Sequence, residues 1–162
     1  MTVQERVEQI YETERGNIYS YLLYFGLPAA RAQEVAQDAF LVLLRKMTEG
    51  VEIENPRAWL YRVARHLAIR SHAREARFDG LEAGFESADT QPNAERALIE
   101  KSQKAALARA IQGLSPQQRH CLYLRVEGLR YREIAEVVGI RTSTVGEFLR
   151  RAAVRLKELL NA

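Results

Sequence analysis

A fifteen-residue interruption, FDGLEAGFESADTQP at residues 78–92, does most to limit what this 162-residue chain can become. Helical periodicity runs on both sides of it. Within it stand two glycines, one proline, four acidic side chains and no basic one. Glycine and proline punctuate helices, so the segment is expected to be a flexible acidic linker. It divides the chain into segments 1–77 and 93–162. Each is small for an independent core, so each must pack amphipathic helices efficiently.

The expected fold class is all-α. A first helix is predicted from about Gln4 to Phe25, ended by Gly26-Leu27-Pro28. A second runs from Pro28 to Met47, with Ala32, Val35, Ala36, Ala39, Phe40 and Leu43 at helical spacing as its core stripe. Asn55 is a good N-cap and Pro56 suits a first turn, so a third helix is predicted from there to Arg77. On a helical wheel Leu60, Val63, Ala64, Leu67 and Ser71 share its inner face. Arg62, Arg65, His66 and Ile69 share the outer one. Trp59, beside the inner stripe, is expected to pack. After the linker, helices are predicted at 93–112, 116–127, 130–138 and 142–160. Ser115 and Gln118 form a capping box at the start of the second of these.

Charge follows the same partition. Residues 1–56 carry 5 basic and 9 acidic side chains, and residues 57–77 carry six arginines against one glutamate. Residues 78–100 carry 1 basic and 6 acidic groups, whereas residues 101–162 carry 12 basic and 5 acidic. The formal net charge of +3 therefore hides two basic blocks separated by an acidic one. Basic blocks of this kind are the electrostatic footprint of a polyanion binder.

Several classes are excluded. One cysteine, Cys121, cannot make an internal disulfide. With His66, His72 and His120 it offers no metal-ligand spacing, and His120 reads as a helix-surface residue beside a packed thiol. There is no apolar run of the ~20 residues that span a bilayer, and the acidic N-terminus is not a signal peptide. The expected location is the cytoplasm. P-loop, GxGxxG, GxSxG and HExxH motifs are lacking, so neither enzymatic activity nor a cofactor is expected.

The most specific local signal is the helix pair at 130–160. Ala135 stands where two helices would touch. Gly139, four residues on, permits a tight turn, and Val145 plugs the interface together with Ile134 and Leu149. That spacing builds a helix-turn-helix, whose second helix enters the major groove by its N-terminal part. Arg141, Thr142, Ser143, Thr144, Glu147, Arg150 and Arg151 are then in reach of DNA. Arg150 and Arg151 suit phosphates, and Glu147 suits a cytosine amino group.

The run Glu34-Val-Ala-Gln37-Asp38-Ala-Phe40-Leu41, followed by NPRAWLYRVARHLA at 55–68, resembles region 2 of the sigma-70 family, more specifically its short extracytoplasmic-function (ECF) members. The C-terminal helix-turn-helix is similar to their region 4. The resemblance implies a promoter-specificity subunit that binds core RNA polymerase and promoter DNA and assists promoter opening. It implies core-polymerase contacts by Gln37, Asp38, Leu41 and Arg45. It implies reading of the −10 element by Asn55, Arg57, Arg62, Arg65 and His66, and of the −35 element by the recognition helix. It also implies an anti-sigma factor as partner. Val42 and Leu44 replace an Arg and a Trp often found in the group, and Gly146-Glu147-Phe148 replaces its usual basic-Ser-Arg run. The segment Leu122–Gly128 is short for the group and closer to LuxR-type output domains. A LuxR-type duplex-DNA regulator and a helical protein-interaction module therefore remain as competing readings, although neither accounts for NPRAWLYRVAR.

Overall fold

The computed structural model describes the backbone over residues 1–79 and 98–161, and side chains over 1–72 and 105–161. Seven α-helices and no strand occur among the described residues: α1 (Val3–Phe25), α2 (Ala29–Thr48), α3 (Pro56–Asp79), α4 (Leu98–Gln112), α5 (Pro116–Val126), α6 (Tyr131–Val138) and α7 (Thr142–Leu160). They belong to two compact units, Met1–Ala88 and Asp89–Ala162. Helix α3 extends two residues past Arg77, into the predicted linker. The rest of that linker, and the predicted helix start at 93–97, lie outside the described residues.

In the first unit, local chemistry sets the helix ends. Thr2 caps α1 by accepting from the Glu5 N–H at 3.2 Å, while the Glu5 carboxylate accepts from the Thr2 N–H at 3.0 Å. Gly26 stops the helix at φ 105°, a left-handed conformation that glycine adopts without a Cβ penalty. Asn55 caps α3, its Oδ1 accepting from the Ala58 N–H at 3.2 Å. The three helices pack against one another in every pairing. Ile18, Tyr21, Leu22 and Phe25 of α1 meet Leu43 of α2 and Leu60 and Tyr61 of α3, all fully buried. The Tyr21 and Tyr61 rings stand edge to face, 5.2 Å apart at 82°. Such a pair contributes about 0.5–1.5 kcal/mol beyond its burial.

That ring contact corrects the predicted orientation of α3. The buried stripe is Leu60, Tyr61, Ala64 and Ala68, while Val63, Leu67 and Ser71 are only half-buried. Tyr61 carries more apolar surface than Val63, and seating it against Tyr21 rotates the helix toward that side. Trp59 is half-buried at the edge of the stripe.

In the second unit, α7 packs on α4, α5 and α6, and α5 on α6. The predicted capping box is present: the Ser115 Oγ accepts from the Gln118 N–H at 3.2 Å, and the Gln118 side chain returns the contact at 3.1 Å. Cys121, Leu124, Ile134, Val145 and Ala152 form the fully buried centre. His120 is buried too, at 3% exposure, and is not the surface residue expected. Helix α5 is covered from two sides, by α6 and α7, so its inner stripe is wide enough to take in His120, Cys121 and Leu124 together.

Candidate nucleic-acid interface

The α6–turn–α7 unit is built as its spacing requires. Gly139 adopts φ 78°, and its N–H donates to the Ala135 carbonyl at 2.9 Å, closing α6. The Ile140 N–H reaches the same carbonyl at 3.1 Å. Ala135 is buried between the helices, where a longer side chain would force them apart, and Val145 fills the interface from α7. Leu149 is half-buried. With Val145 and Ala152 turned inward, the opposite face of α7 is open. Arg141, Thr142, Ser143, Glu147, Arg150 and Arg151 are exposed, and Thr144 is half-buried.

Two contacts on this face were not legible in advance. Glu147 and Arg151 form an ion pair, Oε1 to Nη2 at 2.6 Å, with both side chains about half exposed. Beside it, a Cβ placed on Gly146 would lie 3.6 Å from the ring of Tyr131. The Arg125 guanidinium sits over that same ring, 5.1 Å from its centre, and donates to the Leu129 carbonyl at 3.1 Å. Gly146 marks a missing side chain in the sequence, but nothing there says that a ring from α6 covers the gap.

The side chains of α3 expected to meet DNA divide into two sets. Arg62 and His66 are exposed, as is Ile69. Asn55 is exposed at the helix start. Arg65, placed on the outer face by the wheel, is half-buried instead: its guanidinium lies over Phe25, 5.6 Å from the ring centre, and donates to the Tyr21 hydroxyl. Burial pushes the Tyr21 hydroxyl up to about 12, with the Arg65 charge and hydrogen bond pulling the other way. Arg57 also faces inward. Its Nε is 3.4 Å from a carboxylate oxygen of Glu14 on α1, and its guanidinium lies 5.9 Å from the Tyr61 ring centre. Both arginines turn inward because a guanidinium can lie on an aromatic face while its charge meets a group on α1. Thus Arg57 and Arg65 tie α3 to α1, while Arg62 and His66 face outward.

On α2, Gln37, Asp38, Leu41 and Arg45 are all exposed on one face, with Leu41 at 62%. Leu41, Phe40 and Leu44 border a groove of about 1080 Å³ between α2 and α1, to which α1 contributes Tyr11 and the acidic Glu8 and Glu12. Leu41 thus gives this face an exposed apolar centre beside the groove. The contribution of α1 was missed, because no local pattern tells which helix lies alongside another. Among the described residues no group of three or more His, Cys, Asp or Glu could hold a metal ion. No described helix is long and apolar enough to cross a membrane.

Two family models match the chain: Sigma-70 region 2 over residues 10–78, and Sigma-70, region 4 over residues 104–156. Among curated relatives, the chain is 29% identical to the ECF RNA polymerase sigma factor BldN of Streptomyces coelicolor, covering 94% of this chain and 59% of that protein. It is 28% identical to the RNA polymerase sigma factor YlaC of Bacillus subtilis, covering 98% and 94%. Among solved structures, it is similar in fold to the sigma factor RpoE of Bartonella quintana, crystallised with the anti-sigma factor NepR. That match has a TM-score of 0.72 at 22% identity and covers 96% of both chains.

Proposed function

The chain belongs to the extracytoplasmic-function group of the sigma-70 family, and we propose that it acts as a promoter-specificity subunit of RNA polymerase. The observation that carries this reading is the pair of matches, region 2 on the first unit and region 4 on the second, in that order along one chain. A LuxR-type regulator or a simple interaction module has no place for the first of them.

In this reading residues 1–77 bind core polymerase and the −10 element, 78–92 are the tether, and 93–162 bind the −35 element. The exposed Gln37, Asp38, Leu41 and Arg45 form the polymerase-docking face, with Leu41 as its apolar anchor. Asn55, Arg62 and His66 meet the −10 strand, while Arg57 and Arg65 fix the helix that presents them. Unstacking a base costs a few kcal/mol, and a captured base returns about 1–3 kcal/mol, so a few held bases suffice to bias an opened duplex. Arg141, Thr142, Ser143, Thr144, Glu147, Arg150 and Arg151 of the recognition helix meet the −35 duplex. None of these steps needs a catalytic group, a metal or a cofactor from this chain. The place of action is the cytoplasm, with polymerase. An anti-sigma factor that covers the docking face, as a partner of the kind seen with RpoE, would hold the protein inactive.

The test is run-off transcription with core polymerase on a promoter library, with sequencing of transcript starts. Selective initiation from a subset sharing two upstream elements is the expected result. Absence of polymerase binding, with palindromic duplex DNA bound by the chain alone, would favour the regulator reading instead.

A further inference from the structure

The recognition helix presents an unusual group to DNA. Glu147 stands two residues from the buried Val145, so it points almost directly away from the core. Ser143, Arg150 and Arg151 share its face. The neighbouring position, Gly146, has no side chain, and the Tyr131 ring covers it. The chemistry over the middle of this face therefore reduces to Glu147, Arg150 and Arg151.

A lone carboxylate between two phosphate backbones is repelled. Here it is not alone: Arg151, one turn further on, holds it at 2.6 Å. The paired carboxylate keeps free lone pairs and can only accept hydrogen bonds. In the major groove guanine offers O6 and N7 and thymine offers O4, all acceptors that repel it. Adenine has an amino donor, but its N7 acceptor lies alongside. Cytosine alone presents an amino group without an acceptor beside it on the same base.

We infer that Glu147 selects a cytosine in the duplex element read by α7, and that Arg151 is a positioning residue that holds the Glu147 carboxylate for this contact. The inference rests on the proposed promoter-reading role. It also separates the two arginines. Arg150 is an ordinary phosphate contact, whereas Arg151 acts through Glu147.

The experiment is promoter-library transcription by holoenzyme reconstituted with the full chain, carrying Glu147→Ala, Glu147→Gln, Arg151→Ala or both alanine changes, each checked for unaltered helicity. The original chain should prefer cytosine at one upstream position. Glu147→Ala should relax that preference about tenfold there and nowhere else. Glu147→Gln should move it toward adenine, because an amide can pair with adenine N6 and N7 together. Arg151→Ala should weaken promoter use markedly when Glu147 is present and only slightly when it is absent, since removing the cation strands the carboxylate. Unchanged base preference in both Glu147 variants would overturn the inference. So would an Arg151→Ala effect of equal size with and without Glu147. Failure of the original chain to direct transcription at all would instead overturn the promoter-reading role, and the inference with it.

Discussion

Helices α3 and α7 each carry a basic block, yet they use it in opposite ways. In α3 two of the arginines counted toward the polyanion-binding face, Arg57 and Arg65, lie on aromatic rings and bond to α1. In α7 Arg150 and Arg151 stay on the open side, and Arg151 pairs with Glu147 of its own helix. The comparison teaches that charge counted along a sequence is not charge presented to a ligand. A helix whose neighbours are rich in Tyr and Phe draws guanidinium groups inward, while one packed through Val and Ala leaves them outside.

The aromatic core that receives the inward set should register as stability most strongly through the burial of Tyr21, an effect that Arg65 opposes. Its hydroxyl is raised from 10.0 to about 12, so the folded state binds the proton more tightly than the unfolded chain. Stability from this source is full below pH 10 and is lost as the pH rises toward 12. The loss should be on the order of 2–3 kcal/mol. Chemical denaturation across this range should show the decline, and Tyr21→Phe should remove that part of it. A Tyr21→Phe protein with the same alkaline slope would contradict the assignment.

Next comes Arg65→Ala, which leaves the buried Tyr21 hydroxyl without that donor and should cost about 1–3 kcal/mol by urea denaturation. Arg62→Ala, on the exposed side of the same helix, should stay within about 0.5 kcal/mol while weakening promoter opening. Equal destabilisation by the two would erase the contrast between inward and outward cations. Glu14→Gln, which removes one charge of the part-buried pair with Arg57, should cost about 1 kcal/mol. A loss that disappears in an Arg57→Ala background would show that the pair is responsible.

An effect of opposite sign belongs to α7. Alanine has a better helix propensity than glycine by about 1 kcal/mol, and a Cβ at 146 would make an ordinary contact with Tyr131. Gly146→Ala should therefore raise the thermal midpoint slightly. A drop would mean that the Tyr131 ring needs closer approach than the static geometry indicates.

Much of the architecture was legible because its signals are local. Gly26 and Gly139 stop helices, Asn55 and Ser115 start them, and the Ala135–Gly139–Val145 spacing builds one motif from contiguous residues. What escaped depends on contacts between distant residues. The orientation of α3 turns on Tyr61 meeting Tyr21. Arg57 and Arg65 read as surface cations until Glu14, Tyr21 and Phe25 are placed beside them. His120 reads as exposed until α6 and α7 close over α5. The groove beside Leu41 exists only because α1 lies along α2.

One pair of residues has a practical meaning. The sequence holds a single tryptophan, Trp59, on α3, and a single cysteine, Cys121, wholly buried in α5. They lie in different units. Tryptophan emission thus reports the first unit unfolding, and alkylation of the thiol, which requires exposure, counts openings of the second. The sequence already carries a separate clock for each half, so whether core polymerase or an anti-sigma partner steadies one half or both can be timed without introducing a new residue.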